Sequence, residues 1–261
     1  MIEMNYFDAI LLGFVQGLTE FLPISSSGHL ILISNLLGIN FKGVVFEIIL
    51  HCGTLLSLMF FFNKKIYQLS LNIFIKKDIK YLTFLITGII PVGIIGLIFK
   101  SDIEKIFDNP NLVGFFLMLT GLILLLSKWF KRKKTINLNY FTSIIIGFFQ
   151  ILALMPGVSR SGMTISSAII FGIKPKEAAN FSFLMSIPII LGSMLISMND
   201  IQSLDLNYFE KIFLIISFIS SFVFGLLSLK ILYNLLNTKF FYYFGYYCIL
   251  IGLISIIINN I

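Results

Sequence analysis

The sequence predicts an all-α integral membrane protein with an inverted-topology repeat, each half a re-entrant helical hairpin plus three transmembrane helices. Three observations predict it. Of 261 residues 58% are hydrophobic and only 12% charged, with mean hydropathy +0.99, a balance at which a water-soluble domain would precipitate. The apolar residues gather into ten segments of two lengths, and a polar stretch near the N-terminus recurs 134 residues later.

The first two segments, residues 8–22 and 24–37, are short and are separated by Pro23 and the serines Ser25, Ser26 and Ser27. At 1.5 Å per residue, segments of 12 to 16 residues reach only about 18 to 24 Å, short of the ~30 Å of hydrocarbon. They therefore read as one hairpin that dips in and returns to the same side. Three segments long enough to cross follow, at 44–62, 81–99 and 111–128. The pattern then restarts: short segments 140–155 and 161–172, broken at Pro156 with Ser159 and Ser161, then spans 177–197, 211–230 and 239–260. The halves divide as 1–134 and 135–261. Irregular backbone at membrane depth is tolerated only where protein or a wet cavity satisfies it, so both serine-rich turns are expected to line a pocket.

Charge gives the orientation. The net charge of +7 does not point to nucleic acid, because the basic residues lie in short runs between apolar segments. Loop 63–80 carries Lys64, Lys65, Lys76, Lys77 and Lys80, and loop 128–139 carries Lys128, Lys131, Arg132, Lys133 and Lys134, whereas 100–110 and 198–211 are acidic on balance. Positive loops stay cytoplasmic, so the first hairpin opens from outside, the second from the cytoplasm, and both termini end outside. Glu3 and Asp8, with no Lys or Arg before the first apolar run, argue against a cleaved signal peptide. Cys52 and Cys248 lie within apolar runs without metal spacing and read as small buried hydrophobes.

An odd number of crossings per half turns the second half upside down. At the offset of 134, Gly13, Phe14, Gln16, Leu18, Ser25, Ser27 and Gly28 recur as Gly147, Phe148, Gln150, Leu152, Ser159, Ser161 and Gly162, seven identities in sixteen ungapped positions. Inverted repeats of this kind place a site near the membrane midplane, between broken helices.

The polar residues then describe the site. Gln16 and Glu20 share one helix face, and Gly13 and Gly17 form a small-xxx-small pair that admits a close neighbour, so the carboxylate points into protein. A charge there costs at least about 2.5 to 3.5 kcal/mol, so Glu20 needs a polar partner, which a structural Arg or Lys or a metal would supply. Pro23 ends the first arm; Ser25, Ser26 and Ser27 cap the second, and "PGVSRSGMT", residues 156–164, repeats the device. Two helix N-termini thus face a common interior that also holds Arg160, which describes a site for phosphate or carboxylate; capping serines and an Arg160–Glu20 pair are the purely structural alternative. An anion and Glu20 in one pocket would repel, which makes a divalent cation, Mg²⁺ or Ca²⁺, the natural bridge. His29 can face the same cavity, and histidine is the residue type whose ordinary pKa suits proton transfer near neutrality. His51 reads as packing or a hydrogen bond, and Glu47 as either pocket mouth or solvated end.

At these residues the chain resembles the bacterial undecaprenyl-pyrophosphate phosphatases, a bacitracin-resistance family. The resemblance rests on Gln16 to Glu20 with the following "FLPISSSGH", on "PGVSRSGMT", and on the number and order of apolar segments over essentially the whole chain. It implies a multi-pass enzyme of the bacterial plasma (inner) membrane. That enzyme removes the terminal phosphate of a polyprenyl pyrophosphate, regenerating the cell-wall carrier lipid and lowering sensitivity to bacitracin. It points to Glu20, Ser26, His29 and Arg160 as catalytic, with Ser25, Ser27, Ser159, Ser161 and Thr164 lining the phosphate site. Gln16 stands where many members have a second glutamate, which leaves it a neutral ligand and puts the metal binding on Glu20. Ser26 activated by His29, or a water activated by His29 or the metal, are both compatible nucleophiles. A transporter for an anionic or lipid-phosphate substrate is the alternative from another class, since it would use the same helix ends and Arg160 without breaking a bond. The family's task of recycling carrier released outside turns the pocket outward. Oligomeric state, a homodimer included, lipid chain-length preference and lipid flipping are left open.

Overall fold

A computed structural model of the chain describes residues 5–39, 44–107, 109, 111–130, 135–196 and 206–259. Glu3, Asp108, Lys131, Arg132, Lys133, Lys134, Asp200 and Asp205, which enter the charge reading, lie outside the described residues. Every regular element described is helical: α1 (Tyr6–Phe21), α2 (Ser26–Leu37), α3 (Val44–Phe61), α4 (Asn63–Phe74), α5 (Lys80–Ile98), α6 (Lys100–Phe107), α7 (Asn111–Trp129), α8 (Tyr140–Ile151) with a 3₁₀ turn at Leu152–Leu154, α9 (Arg160–Ile170), α10 (Pro175–Ile196), α11 (Tyr208–Leu235) and α12 (Phe240–Asn259).

Among these, α5, α7, α10, α11 and α12 are long and apolar enough to cross a bilayer, and α3 with α4 makes a sixth candidate bent by 74°. At 28 residues α11 is about 42 Å long, so it crosses obliquely or projects beyond the hydrocarbon. Large side chains such as Phe60, Leu97, Phe115, Phe148 and Ile257 point outward, an exposed apolar surface that suits lipid and not water. α1 and α8 start on capping boxes: Asn5 accepts from Asp8 N and Asp8 from Asn5 N, while Asn139 and Thr142 do the same 134 residues on.

Two segments expected to be loops contain helix. Within 63–80, α4 places Ile66 and Leu69 against the apolar core and leaves Lys64 and Lys65 outside, a short amphipathic turn pattern in a stretch whose lysines dominate its average. Likewise α6 occupies most of 100–110 and ends at Phe107, which lines the cavity between the hairpin tips.

The hairpin arms pack on spans of the opposite half, α1 against α11 and α8 against α5. Close approach is what the glycines provide. A Cβ on Gly13 would sit 2.5 Å from Ser217 O and one on Gly17 2.5 Å from Ser221 O. Along this seam Ser220 Oγ donates to Ile10 O and Ser228 Oγ to Gly17 O, each at 2.8 Å. α11 also packs on α3, α10 on α5, and α7 on α12.

Candidate active site

Both hairpin tips owe their shape to the same local devices. The chain leaves α1 at Leu22 in extended geometry before Pro23, and Ser25 caps α2, its Oγ accepting from Gly28 N at 3.3 Å. Ser159 caps α9 in the same way, accepting from Gly162 N at 3.0 Å. In each tip the capping hydroxyl lies beside a second serine, Ser25 to Ser27 at 3.3 Å and Ser159 to Ser161 at 3.2 Å. The tips touch where a Cβ on Gly28 would fall 2.9 Å from Gly157 Cα, and Gly157 itself has φ 99, which glycine alone adopts without strain. Thr120 of α7 ties the second tip down, its hydroxyl accepting from Ser159 N and donating to Gly157 O, both at 3.0 Å. Ser161 Oγ reaches across to donate to Leu22 O at 3.1 Å.

Between the tips lies a cavity of about 220 Å³, bounded by Glu20 and Ser25 to Ser27 on one side and Ser159 and Arg160 on the other. Sites for whole drug-sized ligands run to roughly 300–1,000 Å³, so this space suits a headgroup with its tail left outside. Glu47 and His51 of α3, Phe107 of α6, and Ile190 and Ser193 of α10 form further walls.

Glu20 organises the charge. Its Oε1 is ion-paired with Arg160 Nη2. Its Oε2 accepts from Ser26 Oγ at 2.7 Å and from Gln16 Nε2 at 3.1 Å. The second hydrogen of that amide nitrogen meets His51 Nδ1 at 3.0 Å, which makes Nδ1 the acceptor and leaves the ring proton on Nε2. A buried carboxylate is stable here because both oxygens are matched. Two groups remain unspent although buried: Arg160 Nη1, a donor, and Gln16 Oε1, an acceptor. With the free amides of two helix N-termini, Arg160 Nη1 offers tetrahedral oxyanions a ready set of donors.

The structure thus brings Gln16, Glu20, Ser25, Ser26, Ser27, Ser159 and Arg160 to one place. It does not bring three others to the cavity. Ser161 is turned to the tip contact. Thr164 is fully buried, donating to Arg160 O at 2.8 Å and bonded to Ser182 Oγ at 2.6 Å. His29 points away, its Nδ1 2.8 Å from Ser25 O and its Nε2 2.8 Å from Tyr247 Oη. Conversely, His51 joins the cluster, and Glu47, four residues before it, reaches the cavity; their shared helix face was the available signal. Phe107 and Ser193 carried no signal in sequence, because nothing local says that α6 and the end of α10 fold back over a distant hairpin.

For a divalent cation, no three His, Cys, Asp or Glu side chains among the described residues form a group that could hold it. The carboxylate side chains that do line the cavity are two, Glu20 and Glu47, the hard-oxygen ligand type that Mg²⁺ or Ca²⁺ takes.

Fold and site together define a polytopic helical membrane protein with a polar pocket between two hairpin tips, lined by one arginine, two carboxylates and several hydroxyls. Within that class the chain belongs to the family described as bacitracin resistance protein BacA, which matches residues 9–254. It is similar to an undecaprenyl-diphosphatase of Halothermothrix orenii, 39% identical over 261 residues that cover 99% of this chain and 100% of the relative. It is also similar to the undecaprenyl-diphosphatases of Methanosphaera stadtmanae, 39% identical over 277 residues (98% and 99% covered), and Thermosipho africanus, 41% identical over 255 (96% and 99%).

Proposed function

We propose that this protein hydrolyses undecaprenyl pyrophosphate to undecaprenyl phosphate and inorganic phosphate in the bacterial plasma membrane, recycling the cell-wall carrier lipid and thereby lowering sensitivity to bacitracin. The observation that carries the reading is the Ser26–Glu20–Arg160 contact at the junction of two helix N-termini, in a member of the BacA family. A transporter needs the donors but has no use for a hydroxyl already hydrogen-bonded to a buried carboxylate.

The terminal phosphate is bound by Arg160 Nη1 and the helix-end amides, which need not displace Glu20 from Nη2. Ser26 Oγ attacks the terminal phosphorus while its proton passes to Glu20 Oε2 along the existing hydrogen bond. The P–O–P bond breaks, its electron pair leaves on the lipid phosphate, and a phosphoserine remains. Water then attacks that phosphorus, its proton going to the carboxylate as the first proton returns to the serine oxygen; Glu20 passes the water's proton to the departing phosphate, which leaves as dihydrogen phosphate, and the carboxylate is free again. Charge growing on the equatorial oxygens is met by donors already in place. A Mg²⁺ or Ca²⁺, if bound, would be held by Glu20 and Glu47 at the cavity wall and would supply neutralisation of the pyrophosphate charge.

The pocket faces outward in this reading. Its support is the cavity lining: Phe107 lies in the acidic segment 100–110, and Ser193 lies just before the acidic segment 198–211, the loops that the positive-inside rule sets opposite the lysine-rich ones.

The test is phosphate release from a polyprenyl pyrophosphate by the purified protein in detergent. Release that is lost in Ser26→Ala supports the reading; tight binding without release returns the transporter.

A further inference from the structure

Ser25 has φ 69 and ψ 104, and with Lys77 it is one of two non-glycine residues with positive φ among those described. A serine in that region is strained, and such strain persists only where surrounding contacts over-determine it. Ser25 is also the residue that sets the direction of Ser26 and Ser27 into the cavity. The question is what holds its peptide.

Its carbonyl accepts twice from one residue: His29 N lies 3.3 Å away and His29 Nδ1 2.8 Å. Because a carbonyl only accepts, the ring proton is on Nδ1. In the neutral ring Nε2 is then an acceptor, and it receives the Tyr247 hydroxyl at 2.8 Å. The two rings lie nearly parallel, 6° apart with centroids at 5.6 Å. His29 is buried and absent from the cavity wall, so neither ring nitrogen has a lone pair or proton to offer the substrate. Tyr247 comes from α12, far in sequence, and fixes the ring from behind.

We infer that Tyr247 and His29 are positioning residues, a brace from α12 through the imidazole to the Ser25 carbonyl that holds the strained turn and so aims the Ser26 hydroxyl at Glu20 and the phosphate. This rests on the proposed hydrolysis and assigns His29 a task other than general base.

The roles separate by substitution, because an asparagine amide N–H can replace Nδ1–H at the Ser25 carbonyl but cannot take a proton. Removing a general base costs about 10²–10⁴-fold, so that role makes His29→Asn and His29→Phe equally poor. Under the brace, His29→Phe loses roughly 100-fold in kcat through misplacement of Ser26 while His29→Asn recovers most of it. Tyr247→Phe lowers kcat roughly 10-fold at little change in KM, as loss of a group that orients another does. In the His29→Asn background, where the shorter side chain no longer meets Tyr247, Tyr247→Phe has no further effect. A readout independent of turnover is ¹⁵N-histidine NMR, simple here because the chain has only two histidines. His29, assigned with a His51→Asn variant, should show a protonated Nδ1 and an Nε2 that shifts in Tyr247→Phe. An Nε2–H tautomer at His29, or a folded His29→Asn as inactive as His29→Phe, overturns the inference; absence of phosphate release by the unaltered protein instead overturns the function on which it rests.

Discussion

Replacing Arg160 by lysine asks whether the cation acts as a charge or as a geometry. In the structure Arg160 Nη2 is committed to Glu20, and Nη1 is buried without a partner, so the guanidinium can hold the carboxylate and a phosphate oxygen at the same time. A lysine has one nitrogen at the end of a flexible stem, and in this pocket it keeps the ion pair at the expense of the phosphate, or the reverse. The loss is then one hydrogen bond between charged groups, worth about 1.5 to 3 kcal/mol. At 1.36 kcal/mol per decade this is a roughly 10- to 150-fold lower kcat/KM. Arg160→Ala is a poorer probe, because it leaves Glu20 buried and unpaired at a cost of about 3–5 kcal/mol to the fold. The assay is phosphate release from a polyprenyl pyrophosphate at several substrate concentrations, with thermal unfolding of each variant by circular dichroism to establish that Arg160→Lys stays folded. A folded lysine variant within twofold of the parent refutes the argument and makes Arg160 a point charge.

Four further outcomes are expected. Glu20→Gln keeps the size and loses both the ion pair and the proton acceptor, so phosphate release should fall by about 10²-fold or more in protein that still extracts and folds. Chelation should abolish release and added Mg²⁺ or Ca²⁺ restore it; full activity in excess chelator removes the cation from the reaction. Quenching turnover with acid should trap phosphate on Ser26, detectable by mass spectrometry of the peptide, whereas an active Ser26→Ala variant would hand the attack to water. In a Cys52→Ala, Cys248→Ala background, cysteine at Lys105 should react with an impermeant thiol reagent outside intact cells and cysteine at Thr135 should not; the opposite labelling inverts the outward-facing pocket.

How much of the fold and site is legible in the sequence depends on the range of the interaction concerned. The breaks at Pro23 and Pro156 and the serine caps are local, and the caps at Ser25 and Ser159 bond within three residues. The Gly13–Gly17 seam was legible as a close approach, because a missing Cβ is a property of the residue itself, but its partner α11 was not. The Glu20–Arg160 pair was an open alternative in the sequence because rarity of intramembrane charge says that such groups need partners without saying which. His29 shows the limit. Its spacing from Ser25 permits either a ring aimed at the cavity or one folded back on the carbonyl four residues earlier, and only Tyr247, 218 residues away, selects the second. The lysine-rich segment 63–80 failed for another reason. Its charge average concealed the few apolar residues, Ile66 and Leu69, that pin α4 to the core.

The offset of 134 also explains why two tips of similar build make one site and not two. It superposes Ser26 on Arg160, and these are the residues that grip the two oxygens of Glu20, one hydroxyl on Oε2 and one guanidinium on Oε1. In the proposed reaction, the positions just inside each cap, where a side chain enters the cavity beside free helix amides, thus carry the group that attacks on one tip and the group that neutralises on the other. Glu20 falls on Leu154, so a single carboxylate serves both. The paired glutamines diverge in the same sense: Gln16 Nε2 bridges Glu20 and His51, whereas Gln150 is buried with neither its nitrogen nor its oxygen bonded. A buried amide with no partner stabilises nothing, so Gln150 fits a retained match to Gln16 rather than a requirement of its own packing. On that argument Gln150→Leu, similar in volume and free of the desolvated dipole, should leave phosphate release intact and raise the unfolding temperature. Gln16→Leu should instead strip Glu20 and His51 of their shared donor and lower turnover. Equal damage from the two substitutions would show that Gln150 has a partner of its own and that the two tips divide the work differently.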